Sequence, residues 1–136
     1  MDIKNFKYWI TNGSVDSSLG ENHDPDASCP WTFYSGYIYH YDPGGYWSYM
    51  CTRNTISVNN YSTLKATFSS HSRGTITLAL SSTNAPSPST GYTYKVVKSY
   101  TGAGTISVDI SAVTGNYYLC IFTNECTFNL TNAWLE

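Results

Sequence analysis

The residues best suited to chemistry in this 136-residue chain are aromatic, and they cluster in two short runs on either side of a turn. The first run is Tyr37-Ile38-Tyr39-His40-Tyr41, and the second is Tyr46-Trp47-Ser48-Tyr49-Met50-Cys51. The intervening Asp42-Pro43-Gly44-Gly45 has the residue types of a tight turn, so the sequence predicts a β-hairpin. Tyr and Trp rings offer a flat apolar surface with a polar group at one end, which suits stacking against sugar C–H groups. The hairpin is therefore the leading candidate for a binding platform.

Alternation along the two strands divides this hairpin into two faces. The more apolar set, which we expect to face the core, is Ile38, Trp47, Tyr49 and Cys51. The outward set, Tyr37, Tyr39, Tyr41 and Tyr46, is the predicted binding surface. Together with two further aromatic residues, it gives the predicted ligand-binding residues, Tyr37, Tyr39, Tyr41, Tyr46, Trp31 and Tyr92. His40 is expected near the rim of the core in a structural role. The opposite assignment, which would bury the tyrosines, stays open.

Other reactive side chains form no recognisable catalytic pattern. The nine carboxylates include no pair that the sequence identifies as the acid and nucleophile of a glycosidase. The chain also lacks the G-x-S-x-G, H-E-x-x-H and phosphate-loop motifs. We therefore expect a protein that is not an enzyme.

One acidic loop has the oxygen ligands that calcium prefers. It contains Glu21, His23, Asp24 and Asp26, but its spacing fits no EF-hand and Pro25 interrupts it. A solvated turn is the favoured interpretation, with a structural calcium ion as the alternative. No other cofactor is expected.

The four cysteines, Cys29, Cys51, Cys120 and Cys126, show no C-x-x-C spacing. If disulfides form, the sequence allows Cys120 to pair with Cys126 across a tight hairpin and Cys29 to pair with Cys51. The chain begins without the charged-then-apolar layout of a signal peptide. Buried free thiols are therefore the favoured interpretation over disulfides.

Charge and hydropathy exclude two kinds of partner. Only 12% of the residues are charged, the formal net charge is −2, and the seven basic residues are scattered. This distribution gives no surface for a phosphate backbone, so nucleic acid is not expected as a partner. No apolar run is long enough to span a bilayer, so membrane insertion is not expected either.

Period-two alternation predicts the elements that position these side chains. Apolar residues recur at every second position in three segments of the second half, Leu64 to Phe68, Ile76 to Leu80 and Ile106 to Ile110. A long loop rich in Ser and Pro, residues 81–91, is a candidate rim for a site. With nine or ten strands and no helical periodicity, residues 1–136 are predicted to form one all-β domain, an antiparallel β-sandwich.

Two resemblances refine this prediction. The segment Thr105 to Phe122, followed by Phe128-Asn129-Leu130 and Trp134, resembles the closing strands of jelly-roll carbohydrate-binding modules, in which a V-D-I-S-x-x-T-G turn leads into a buried strand. The segment Thr55 to Phe68, taken with the same closing turn, resembles the C-terminal domains of tailed-phage minor structural proteins.

These resemblances imply a jelly-roll topology and a non-catalytic module that binds glycan or cell-surface polysaccharide. They place it at the host-surface end of a phage tail or fibre protein, in a virion or extracellular setting. The alternative is a structural virion or fibre domain whose aromatic face is an oligomer interface, most simply in a homotrimer. The two hypotheses differ in what the outward tyrosines contact.

Overall fold

The structure, a computed structural model, describes residues 5–86 and 94–136, with the strand at 94–100 described by its backbone. Its strands form two antiparallel sheets. Sheet A contains β1 (Lys7–Thr11), β2 (Ser14–Val15), β4 (Trp31–Tyr34), β5 (Tyr37–His40), β8 (Thr63–Ser72), β11 (Gly104–Asp109) and β13 (Thr127–Leu135). Sheet B contains β3 (Asn22–His23), β6 (Trp47–Cys51), β9 (Thr75–Ser81), β10 (Tyr94–Tyr100) and β12 (Asn116–Asn124), with β7 (Ile56–Ser57) paired to the start of β12.

The strand order is that of a jelly-roll β-sandwich, as predicted. Sheet A runs β11-β8-β13-β1-β2, with β5 and then β4 added along the other half of β13. Sheet B runs β10-β9-β12-β6-β3. Successive long strands cross from one sheet to the other, so that β8 and β9, β10 and β11, and β12 and β13 lie in opposite sheets. Within the described residues, no helix is long and apolar enough to cross a membrane.

The core lies between the two sheets and contains the residues that alternation selected. Leu64, Ala66 and Phe68 of β8 are buried there. Ile76, Leu78 and Leu80 of β9 face them, and Ile106, Val108 and Ile110 extend the same core from the segment of β11. The alternation pattern of the second half is thus confirmed, because each of these strands has only one face against the other sheet.

The predicted tyrosine hairpin is wrong, because its two strands lie in different sheets. Strand β5 pairs with β4 and β13, whereas β6 pairs with β12 and β3. The Asp42–Gly45 segment therefore crosses between the sheets. Asp42 is buried and fixes this crossing: its backbone N–H donates to Thr127 Oγ1 at 2.9 Å, and Arg73 Nη2 donates to its carbonyl oxygen at 2.8 Å.

The crossing also reverses the predicted face of β6. In β5 the prediction is confirmed, since Ile38 is buried in the core. In β6 it is Ser48 and Met50 that face inward, and Trp47, Tyr49 and Cys51 that lie on the outer side of sheet B. The inward hydroxyl of Ser48 accepts a hydrogen bond of 2.8 Å from Trp31 Nε1, which satisfies both buried polar groups.

His40 lies inside the core rather than at its rim. Its side chain has no exposed surface, its Nε2 atom is 3.2 Å from Thr123 Oγ1, and its ring lies 4.2 Å from that of Trp31. Burial lowers the pKa of His40 to about 4, with the Pro30 carbonyl acting in the opposite direction. The imidazole is therefore a neutral part of the core at pH 7.

Candidate functional site

The structure does not bring the predicted ligand-binding residues together on one surface. Tyr37 and Tyr39 are half-buried on the outer side of sheet A, and Tyr41 and Tyr46 are exposed beside the crossing between the sheets. Trp31 is only 6% exposed and packs in the core against His40 and Phe128, so its ring is not presented to solvent. Tyr92 lies outside the described residues.

On sheet A the tyrosines form a small surface that we call the tyrosine face, made of Tyr34, Tyr37 and Tyr39. Tyr34, which the sequence analysis did not select, lies opposite Tyr37 in register, and the two ring centroids are 5.2 Å apart. Tyr39 lies opposite Asn129 of β13. The tyrosine face is therefore a pair of rings with one further ring beside an amide.

On sheet B the outward side chains form a larger surface that we call the aromatic face, made of Trp47, Tyr49, Tyr118 and Phe122 with Cys51 and Cys120. Trp47 and Tyr49 are separated by one residue on β6, so both point outward, about 6.6 Å apart along the strand. Their ring centroids are 6.4 Å apart and their planes differ by 25°. Two nearly parallel aromatic rings therefore lie next to each other on the outer side of sheet B.

The middle of the aromatic face is buried. Phe122 lies opposite Tyr49 in register, yet it is only 6% exposed although it points away from the core. Cys51, Ala79 and Cys120 beside it have no exposed surface, and Tyr49 and Tyr118 pack against this group as half-buried rings. The result is a second apolar cluster, on the opposite side of sheet B from the core.

A disulfide joins Cys51 to Cys120 within this cluster, which corrects the expectation that all four thiols are free. Neither pairing considered from the sequence occurs, and the bond links positions directly opposite each other on β6 and β12. Cys29 and Cys126 are buried free thiols. Burial raises the pKa of Cys29 to about 11 and that of Cys126 to about 12, so both stay protonated and unreactive at neutral pH.

The start of the β9–β10 connection closes the aromatic face at its disulfide end. The Thr83 carbonyl oxygen lies 3.7 Å from Cys120 Sγ. The next residue anchors the segment: Asn22 Nδ2 donates to the Asn84 carbonyl at 2.9 Å, and Asn84 Nδ2 donates to the Arg53 carbonyl at 3.2 Å. Residues 82–86, the described part of the loop that the sequence predicts as a rim, lie at this end of the aromatic face.

Neutral polar groups surround the other end of the aromatic face. Asn124 lies opposite Trp47, and Thr77 lies opposite Phe122. Tyr49 is held from the far side, where the Asp24 backbone N–H donates to the Tyr49 carbonyl at 3.0 Å. Burial, and to a lesser extent the Asp24 carboxylate, raises the pKa of Tyr49, so its phenol is a neutral hydrogen-bonding group at pH 7.

The carboxylates of the acidic loop contact polar groups of the same loop. Glu21 Oε2 lies 2.6 Å from His23 Nδ1. Asp24 Oδ1 accepts the Asp26 backbone N–H at 3.0 Å, and Asp26 Oδ1 accepts the Ser28 backbone N–H at 2.9 Å. Such contacts are those of local Asx turns, and across residues 5–86 and 94–136 no three metal-ligating side chains come together.

A cavity of about 510 Å³ lies at one end of the sandwich. It is lined by Asn5, Asn59, Asn60, Tyr61, Ser62, Thr63, Ser111 and Glu136. Several of these polar groups already form hydrogen bonds within the protein. Asn59 Oδ1 accepts the Gly115 N–H at 2.7 Å, and the Ser62 N–H donates to the Glu136 carbonyl at 2.7 Å. The aromatic face is the better candidate site, since Trp47 and Tyr49 place two nearly parallel rings on the outer side of sheet B.

Comparison with known proteins shows the fold. No family model matches the chain, and no curated protein matches its sequence. The structure is similar to a family 29 carbohydrate-binding module, with a TM-score of 0.64 and 12% identity over 96% of this chain and 87% of that one. It is also similar to CBM86, a low-affinity xylan-binding module from Roseburia intestinalis, with a TM-score of 0.63 and 10% identity over 97% and 95% of the two chains.

A third similar structure is a variant of the family 29 module CBM29-2 in complex with cellulohexaose, with a TM-score of 0.63 and 12% identity over 96% of this chain and 89% of that one. At such low identity the likeness concerns the fold alone. The chain therefore has the β-sandwich fold of carbohydrate-binding modules, as the first resemblance implied.

Proposed function

We propose that this protein is a non-catalytic carbohydrate-binding module and that its ligand lies on the aromatic face. The observation that carries the proposal is the pair of nearly parallel rings, Trp47 and Tyr49, beside the buried ring of Phe122. Apolar rings flanked by a few polar groups are the usual composition of a site for a small or extended organic ligand. Tyr and Trp also lose little conformational entropy on contact.

The chemistry of the face favours a neutral saccharide. Sugar rings present C–H groups that stack on aromatic rings, and their hydroxyls pair with amide and hydroxyl groups such as those of Asn124 and Thr77. The neighbouring structures support the choice of probe, because they include complexes with cellulohexaose and mannohexaose and a xylan-binding module. Soluble cello-, manno- and xylo-oligosaccharides are therefore the first ligands to test.

Isothermal titration with these oligosaccharides, compared between variants, tests the proposal. Trp47→Ala and Tyr49→Ala each remove one ring from the outer surface, so we expect each to abolish measurable binding or weaken it at least about tenfold. The matched control is Tyr37→Ala with Tyr34→Ala, which removes the ring pair of the tyrosine face. If the control loses binding while Trp47→Ala and Tyr49→Ala retain it, the ligand binds on the tyrosine face and the proposed location is wrong.

A protein interface is the second candidate function for the exposed aromatic residues. Among the side chains that the structure describes, the large apolar ones with the greatest exposure are Phe6, Tyr8, Phe33, Tyr34, Tyr41 and Tyr46, at 36% to 50%. Tyr8 and Tyr34 belong to sheet A, on the opposite side of the sandwich from the aromatic face. Solution mass tests this candidate: a trimer that dissociates in Tyr8→Ala or Tyr34→Ala would support it, and a monomer would contradict it.

The setting is a further part of the proposal. The Thr55 to Phe68 resemblance supports a phage tail or fibre protein and a virion or extracellular location. The Cys51–Cys120 disulfide supports the extracellular part of this, since disulfides persist in oxidising surroundings. Counting free thiols in protein purified under alkylating conditions checks it: two free thiols are expected, and four would contradict an oxidising location.

A further inference from the structure

The Cys51–Cys120 disulfide lies on the binding side of sheet B and not in the core. Met50 and Ile121, the neighbours of the two cysteines, are core residues. Since side chains alternate along a strand, the two sulfur atoms point to the outer side, with Tyr49 and Phe122 two residues away on the same strands. The bond is therefore part of the floor of the aromatic face.

Strand β6 lies between β12 and the short edge strand β3. On one side it pairs with β12 through five residue pairs from Cys51 to Trp47, and on the other side with β3 through only Asn22 and His23. The β3 side of β6 therefore resists displacement less than the β12 side does. The disulfide fixes the distance between β6 and β12 two residue pairs away from Tyr49 and Phe122.

We propose that Cys51 and Cys120 are positioning residues for glycan binding, and that the affinity of the aromatic face depends on the redox state of their disulfide. This inference rests on the proposed function, because it concerns the same face. It assigns a role to the two sulfur atoms that does not require either to contact the ligand.

Packing explains why reduction would change the face. Two thiols need more room than two bonded sulfur atoms, because non-bonded atoms cannot approach as closely. Cys51 and Cys120 have no exposed surface, so this room has to come from a shift of β6 or of the segment around Thr83. Either shift alters the spacing of Tyr49 and Phe122 or moves the wall at the end of the face.

The redox step is a thiol–disulfide exchange with a dithiol reductant. One reductant thiolate attacks a protein sulfur and forms a mixed disulfide, and the second thiolate closes the reductant into a cyclic disulfide. The protein gains two electrons and two protons and carries two thiols. Oxidised glutathione reverses the change, accepting the same two electrons and two protons to give two molecules of reduced glutathione.

The test compares affinity for the best-bound oligosaccharide in four samples of the full chain. These are the oxidised protein, the protein reduced with dithiothreitol, the double variant Cys51→Ala/Cys120→Ala, and the matched control Cys29→Ala/Cys126→Ala. We expect affinity to fall about tenfold in the reduced protein and in the first double variant, the loss typical when one or two contact side chains must be ordered on binding. Cys29→Ala/Cys126→Ala should bind as the oxidised wild-type protein does, and reoxidation should restore the affinity of the reduced wild-type protein but not that of Cys51→Ala/Cys120→Ala.

Amide hydrogen exchange gives a readout that requires no ligand. Reduction should accelerate exchange at Tyr49 and Phe122 while exchange in β8 and β13 is unchanged. Equal affinity in the oxidised and reduced forms would overturn the inference and leave the proposed function standing. Global unfolding of both the reduced protein and Cys51→Ala/Cys120→Ala would also overturn it, because the bond would then maintain the whole fold.

If the oxidised protein binds no oligosaccharide, the proposed function fails, and with it the dependence of affinity on the disulfide. Hydrogen exchange still decides the positioning role in that case. Unchanged exchange at Tyr49 and Phe122 on reduction would contradict it.

Discussion

The buried imidazole of His40 predicts a specific dependence of stability on pH. The ring has no exposed surface, and burial lowers its pKa from 6.5 to about 4. The folded state therefore binds this proton less readily than the unfolded state does. Stability contributed by the neutral ring is fully present above the unfolded pKa and is lost as the pH falls from about 6.5 towards 4.

The magnitude follows from the two pKa values. Each pKa unit corresponds to about 1.36 kcal/mol, so the full difference between 6.5 and about 4 amounts to about 3.4 kcal/mol. Proton linkage distributes this loss unevenly with pH: about 2 kcal/mol is lost between pH 7 and pH 5, and about 3 kcal/mol by pH 4. A loss of this size is a large part of the stability of an ordinary domain.

Urea unfolding of the wild-type chain and of His40→Gln at pH 7, 5 and 4 measures this contribution. Groups common to both proteins titrate equally and cancel, so the difference in unfolding free energy isolates the ring. We expect the wild-type advantage to shrink by about 2 kcal/mol at pH 5. His40→Asn should give the same pH dependence even if its absolute stability differs. A difference that stays constant from pH 7 to pH 4 would refute the reasoning, and one that grows at low pH would mean that the folded state carries a charged imidazolium.

Three further predictions concern stability. Ser48→Ala leaves the Trp31 indole N–H without its 2.8 Å partner in the core, so urea unfolding should show a loss of about 1–3 kcal/mol, and a loss below about 0.5 kcal/mol would contradict the bond. Gly74→Ala places a methyl group against the Asn124 carbonyl oxygen at a φ of +66°, so it should lower the unfolding free energy by at least about 2 kcal/mol. The control is Gly45→Ala, where φ is +87° but no atom lies within 4 Å, and its loss should be clearly smaller. Removing the Cys51–Cys120 bond, whose partners are 69 residues apart, should lower the unfolding free energy by about 4 kcal/mol on the chain-entropy model, and equal stability of oxidised and reduced protein would contradict that model.

Alternation predicts the core where only one face of a strand is apolar. Leu64, Ala66 and Phe68 alternate with polar residues, and the two sheets enclose just these side chains. The same signal fails in β12, where Leu119 and Ile121 face the core while Cys120 and Phe122 face outward. Because both faces are apolar, no period of two distinguishes them, and Phe122 could not be recognised as part of a site.

The turn signal fails for a different reason. Asp42-Pro43-Gly44-Gly45 does turn the chain, and Gly44 N–H donates to Asp42 Oδ1 at 2.7 Å as such a local turn predicts. Whether the following strand pairs with the preceding one depends on contacts far along the chain, here from Thr127 and Arg73 to the backbone of Asp42. A local pattern carries no information about these contacts, so a crossing between sheets and a hairpin have the same sequence signature.

The reversed face of β6 follows from that crossing and explains why the candidate site differs from the predicted one. Within a hairpin, Tyr49 and Cys51 would have shared a side with Ile38 and been buried. On the opposite sheet, Ser48 can occupy the core because Trp31 satisfies its hydroxyl, and Cys51 can lie outside because Cys120 meets it there. Each apparent violation of the apolar-inside rule is compensated by one partner distant in sequence. Trp47 and Tyr49 reach the surface as a consequence, so the rings that the sequence assigned to the core are the ones available to a ligand.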